Sequence, residues 1–145
     1  MTDYLTKLRL DVAQALGWRL TRRSPVDTDI LSDAQVVYER WEHEKSAAPG
    51  FVVRDADSNA ALRIIRNDIP AYGTSWAACE EIDAAIKQRG WICMIDLDKD
   101  GARVVITGFH KGRLPVDLAD VTTPTFPEAF CLAFVQAVER NDADA

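Results

Sequence analysis

Between Trp91 and Phe109 the chain reads WICMIDLD, KDG, ARVVITGF, two apolar runs joined by an Asp-Gly step. Asp100-Gly101 suits the positive φ of a tight reversal, so this stretch predicts a β-hairpin. Its first run is nearly continuous in apolar residues, as expected for a strand buried on both faces. A helix from about Trp76 to Gln88 should lead into it. Cys79, Ile82 and Ile86 fall on one helical face, Ala78 and Ala85 permit close packing, and Thr74 or Ser75 can cap the start. Gly90 is a natural stop.

After the hairpin, HKGRLPVDLADV reads as a loop or short edge strand. A last helix then starts at Thr125, which forms a T-x-x-E capping box with Glu128 and tolerates Pro127 in its first turn. Phe130, Ala133, Phe134, Ala137 and Val138 recur at helical spacing, the mark of a deeply packed helix. Residues 141–145 make an acidic, frayed tail. From Pro70 to Arg140 the order is therefore helix, strand, turn, strand, long return and helix. That order predicts an α/β protein of the α+β kind with a mainly antiparallel central sheet.

The rest of the chain is less patterned. Leu5, Leu8, Val12, Ala15 and Leu16 predict a helix over 3–16, with Gly17 as its stop and Trp18 folding back over its end. WRLTRRSPVDTD then reads as a connector carrying Arg19, Arg22 and Arg23. Ser32 and Gln35 stand in capping-box relation, which predicts a helix from Asp33 to about Lys45. Val36, Val37 and Trp41 would form its inner side, with Glu39, Arg40, Glu42 and Glu44 facing water. SAAPG breaks that pattern. Beyond it, FVVR can be a short strand, DADSN a turn, and ALRII either helix or strand. At 145 residues the whole fits one domain.

The set LGW at 16–18, PAYGTSW at 70–76, RGW at 89–91, a hairpin ending FHKGR and the segment TPTFPEAFCLAFVQAV resembles the phage ABA sandwich domain family. These are small proteins encoded by bacteriophages and prophages. The family's tyrosine-serine-threonine-aspartate stretch corresponds to Tyr72, Gly73, Thr74 and Ser75, so two of its four positions differ. The resemblance covers the first helix and the C-terminal half and leaves the insertion at 27–69 unmatched. It implies a small three-layer α-β-α sandwich and a phage or prophage origin, and it implies no activity.

Composition narrows the function classes. A net charge of −6 argues against a general nucleic-acid binder, and no helix pair suits DNA reading. No apolar run approaches the roughly 18 residues that cross a bilayer. The N-terminus lacks a cleavable apolar segment, so a cytoplasmic protein is expected. Cys79, Cys93 and Cys131 are an odd set inside apolar segments, and read as reduced core thiols. No nucleophile elbow, phosphate loop, dinucleotide fingerprint or zinc spacing is present, so no cofactor, metal or conventional catalysis is expected. Asp96, Asp98, Asp100 and Gly101 match the first half of a calcium loop. Its twelfth position is Thr107 where glutamate is needed, and an aspartate-rich hairpin turn accounts for the same residues.

One constellation points to a ligand. His110, Lys111 and Arg113 gather positive charge where a strand ends, and Arg113 could hold a phosphate through two parallel hydrogen bonds. Tyr72 and Trp76, at the entry to the central helix, could stack on a base, or else staple the chain to the core. The leading expectation is a non-enzymatic accessory protein that sequesters a small anion such as a nucleotide immune signal. An alternative is a protein-interaction module that binds a host or phage protein or self-associates, using the Trp41 helix and the insertion after it. A small nucleotide-processing enzyme with His110 as general base is the third.

Overall fold

The computed structural model describes residues 2–24, 27–28, 35–65, 68–110 and 114–143, with side chains for all of these except Thr2, Asp3, Asp27, His110 and Ala143. The backbone divides into two compact units, Met1–Pro70 and Ala71–Ala145. The division falls where the sequence places the start of the hairpin-centred unit. Helices and antiparallel sheets make both, so the class is α+β as expected, with the strands in two sheets.

The first unit opens with α1 (Thr2–Ala15), whose Leu8, Leu10, Val12 and Ala13 are buried. Gly17 takes φ 106° and Trp18 returns its backbone N–H to the Ala13 carbonyl at 2.9 Å, ending the helix. His43 completes that end. Its Nε2 lies 3.0 Å from the Leu16 carbonyl, while Nδ1 accepts the Lys45 N–H at 3.0 Å. Nε2 therefore carries the proton and donates to Leu16, leaving neither nitrogen free.

Among the described residues five strands follow. These are β1 (Arg19–Arg23), β2 (Asp27–Thr28), β3 (Gln35–Glu42), β4 (Gly50–Asp55) and β5 (Ala61–Ile64), in the order β1-β3-β4-β5 with β2 also on β3. The expected helix over 33–45 is therefore strand β3 from Gln35, and the Ser32 and Asp33 part of its predicted start lies outside the described residues. Val36, Val37, Tyr38 and Trp41 are β-branched or aromatic, and cross-strand pairing to β4 decides for the strand. The segment expected to be a connector at Arg19–Arg23 is strand β1, and DADSN is the turn expected, with Asn59 at φ 62°.

Glu39, expected to face water, is only 3% exposed. The pleat puts it on one face with Val37 and Trp41. Its Oε1 accepts Arg54 Nε at 2.7 Å and Trp41 Nε1 at 3.2 Å, and Arg23 Nε stands 3.9 Å from Oε2. These donors offset its desolvation, which a carboxylate in a sheet core otherwise could not bear. At the end of the unit the Arg9 guanidinium donates to the Ile69 and Pro70 carbonyls.

The second unit holds α2 (Cys79–Gln88), β6 (Ile92–Asp98), β7 (Gly101–His110), β8 (Leu114–Thr123) and α3 (Phe126–Ala143). The three strands pair antiparallel in chain order. Cys79, Ile82 and Ile86 are the buried face of α2, as the spacing predicts. Phe130, Cys131, Ala133, Phe134 and Ala137 bury α3 against β7 and β8. The segment read as a loop or short edge strand is a ten-residue strand, β8. It carries a bulge opposite Ile106 and Thr107, which turns both Leu118 and Ala119 inward.

Candidate functional site

Of the predicted ligand constellation, the two aromatics Tyr72 and Trp76 do not present a common face. Tyr72 is 1% exposed, and its hydroxyl donates to Glu81 at 3.0 Å, so it staples the chain to the core and offers no face for stacking. Trp76 is 62% exposed and stacks on Phe126, with ring centroids 4.7 Å apart. Phe126 stacks in turn on the buried Phe130. His110 is the last residue of β7, opposite Leu114, and Lys111 and Arg113 lie outside the described residues.

The course of α3 separates Trp76 from His110. The helix begins just after Thr123, which sits opposite Ala102, and Arg140 near its other end donates to the Asp117 carbonyl, level with Thr107. Trp76 therefore belongs to the Ala102 end of β7. His110 lies eight residues farther along, about 25 Å away at ~3.3 Å per residue. The two share no site.

A different feature was missed by sequence reasoning. Strand β6 was expected to be buried on both faces, yet it is the edge of its sheet, and Ile92, Met94, Ile95 and Leu97 are 57, 59, 45 and 55% exposed. Ile92 and Met94 lie opposite Thr107 and Val105 on one face, and Ile95 and Leu97 opposite Val104 and Ala102 on the other. The helices cover the middle strand, where Val104 is 0% and Ala102 2% exposed, but α2 packs chiefly on α3 and reaches β6 only marginally. Phe109, exposed on β7, extends the Ile92 and Met94 face. An apolar run looks the same in a strand buried on both faces and in one awaiting a partner. The available signal was Asp96, a charge between Ile95 and Leu97 that a fully buried strand would not carry.

Among the described residues, the other sheet edges are guarded more heavily than β6. Fully exposed β1 carries Arg19, Arg22 and Arg23 and a bulge between Leu20 and Arg22. Strand β5 is four residues long, has a register break, and is packed by α1. Strand β8 has Pro115 and its bulge. Charge, bulges, proline and brevity are the usual ways to stop an edge from pairing. In contrast β6 is seven residues long and paired to β7 without a register break, and its two charges, Asp96 and Asp98, fall in its C-terminal half.

Charge is polarised along this edge. Lys87 and Arg89 precede β6, whereas Asp96, Asp98 and Asp100 close it. The calcium-loop resemblance resolves into a hairpin, in which the Asp98 carboxylate accepts the Asp100 N–H at 2.7 Å. Arg103, opposite Asp96, grips Asp120 through Nε and a second nitrogen at 2.9 and 2.7 Å, which holds the Asp120 carboxyl below its ordinary range.

Among the described residues, no group of three His, Cys, Asp or Glu side chains could hold a metal ion. All three cysteines are free thiols. The bond with Cys79, followed by burial, holds Cys131 well above the ordinary thiol range. Burial, aided by Asp83, pushes Cys93 up to about 11. At pH 8 its thiolate fraction should be on the order of 100-fold below that of a free cysteine. Iodoacetamide labelling followed by peptide mass analysis should therefore find Cys93 almost unmodified at pH 8 and labelled increasingly toward pH 11. A folded pKa above the unfolded 9.0 also means that this thiol's contribution to stability is present below pH 9 and is lost as pH rises to about 11. Rapid labelling at pH 8 would refute that environment.

No family model, curated protein or solved structure matches this chain. Among the described residues no helix is long and apolar enough to cross a membrane.

Proposed function

We propose that this chain is a non-enzymatic binding protein that engages another polypeptide by adding a strand to β6. The phage or prophage accessory role implied by its sequence resemblance fits such a module, and its place of action would be the bacterial cytoplasm. One observation carries the reading: β6 is an unbulged sheet edge that exposes four large apolar side chains. In strand addition, main-chain hydrogen bonds along the edge supply affinity and alternate side chains supply specificity. Ile92 and Met94 on one face, and Ile95 and Leu97 on the other, offer both faces of such a contact.

Sequestering a small anion finds less support. Tyr72 is buried, Trp76 is remote from His110, and the basic residues that remain, Lys111 and Arg113, lie outside the described residues. Nucleotide processing has only His110 to rest on, and its side chain lies outside the described residues.

A labelled synthetic peptide spanning residues 91–99 supplies the test. It should bind the intact protein with saturable fluorescence anisotropy, and binding should fall at least about tenfold when Met94 and Ile95 are both replaced by lysine, the residue natural edges use to refuse partners. No binding, or equal binding to that variant, would remove the strand-addition reading.

A further inference from the structure

We infer that the strand received by β6 is β6 of a second copy, in antiparallel pairing about a two-fold axis through Ile95, which joins two three-stranded sheets into one of six. This rests on the strand-addition reading and names its occupant.

The charge pattern selects both the partner and the direction. Each copy carries Arg89 just before the edge, its guanidinium over the Trp91 and Phe134 rings, and Asp96, Asp98 and Asp100 toward the other end. Lys87 sits on α2, paired with Asp83 at 2.9 Å. Antiparallel pairing of identical strands brings Asp98 and Asp100 of each copy toward Arg89 of the other and leaves only the two Asp96 as diagonal like-charge neighbours. Parallel pairing would set every aspartate beside its counterpart. Complementary ends of this kind fix register and orientation. A two-fold contact also uses one patch twice and closes, so it does not grow into a fibre.

The side chains suit the same register. With Ile95 of one copy opposite Ile95 of the other, Cys93 meets Leu97 on the helix-bearing face. On the opposite face Met94 of each copy lies directly opposite Asp96 of the other and Ile92 opposite Asp98, with the two Met94 side chains diagonal across the axis. The seven residues Ile92–Asp98 then overlap over their full length. The cross-strand Ile95 pair on the helix-bearing face is the kind of contact that stabilises a sheet.

The area is adequate and modest. The four apolar residues of β6 expose on the order of 400 Å² per copy, the size of patch that marks an interaction site. Doubling this and adding the paired backbone reaches the lower end of specific interfaces, about 1,200 Å² in total. The dimer should therefore be reversible, with a dissociation constant on the order of 10 µM.

Sedimentation velocity from about 1 to 200 µM, a range that brackets this constant, tests the proposal. The native chain should pass from monomer to dimer and stop there. The Met94→Lys/Ile95→Lys variant, with an unchanged circular dichroism spectrum, should remain monomeric throughout. A Cys93→Ser/Ile95→Cys variant should form a disulfide-linked dimer under mild oxidation, because the axis brings the two introduced thiols together. Three results would overturn self-pairing: a native chain monomeric at every concentration, a dimer that survives the double lysine change, or open-ended assembly. If the native chain stays monomeric while the 91–99 peptide still binds, the edge accepts a different protein and only the self-pairing fails. If the peptide also fails to bind, both readings fall.

Discussion

Arg54→Ala should lower the stability of the first unit by about 3 kcal/mol, the low end of the cost of leaving one partner of a buried ion pair alone. Glu39 is 3% exposed, and Arg54 Nε at 2.7 Å is its closest donor. Without it, the carboxylate keeps the Trp41 indole N–H at 3.2 Å and a half-exposed Arg23 at 3.9 Å. Arg23 can move closer, and the Arg54 side chain is itself 19% exposed, which is why the low end applies. Urea unfolding at constant m-value gives the number. Replacing both partners, Glu39→Leu with Arg54→Met, should recover most of the loss, because no charge is then left buried. A single substitution within about 0.5 kcal/mol of the native chain, the range of ordinary surface changes, would show that the pair contributes nothing.

The same carboxylate explains why β3 was hard to read. Val37, Glu39 and Trp41 share a sheet face, but a glutamate between two buried apolar residues interrupts the period-two signal. With Glu39 counted as polar, Val36, Val37 and Trp41 fit a helix as well as a strand, and the Ser32–Gln35 spacing tips the reading toward helix. The Arg54 partner, fifteen residues away and one strand over, does most to make the buried charge tolerable. Segments governed by their own spacing were legible. The α2 face of Cys79, Ile82 and Ile86, the Asp100-Gly101 hairpin and the α3 face through Phe130 and Phe134 all formed as the sequence implies.

Legibility failed where the outcome depends on neighbours distant in sequence. Pro115, Asp117 and Asp120 give β8 the look of a loop, yet β7 supplies its ladder and Arg103 pairs with Asp120 across it. Whether β6 is central or at an edge depends on how many strands the sheet has, which no local pattern records. The placing of Tyr72 and Trp76 was hard to read for a related reason. Tyr72 and Trp76 are four residues apart in one motif, but one is core and the other surface. The distance from Trp76 to His110 is set by the direction in which α3 runs back along the sheet.

The second large loss should come from Gly101→Ala, at about 3 kcal/mol, in the range of changes that strain a special backbone position. Gly101 has φ 154°, a conformation side chains rarely adopt, and a Cβ there would stand 2.5 Å from the Thr123 carbonyl oxygen and 3.3 Å from its carbon. The obstacle is backbone, so no rotamer change relieves it. Thr123 is also held in place, because its neighbour in the ladder is Ala102 and its hydroxyl donates to the Thr125 carbonyl at 2.6 Å. That carbonyl in turn accepts the Ala129 N–H at the start of α3. The alternative to moving Thr123 is to move the hairpin, and Gly101 is the residue opposite Asp98, the last of β6. Gly101→Ala should therefore weaken self-association along with unfolding stability, raising the dimer dissociation constant several-fold in sedimentation at temperatures where the variant is folded. An unfolding free energy within about 1 kcal/mol of the native chain would show that the hairpin absorbs the methyl group. The alignment of β6 would then not depend on this close approach.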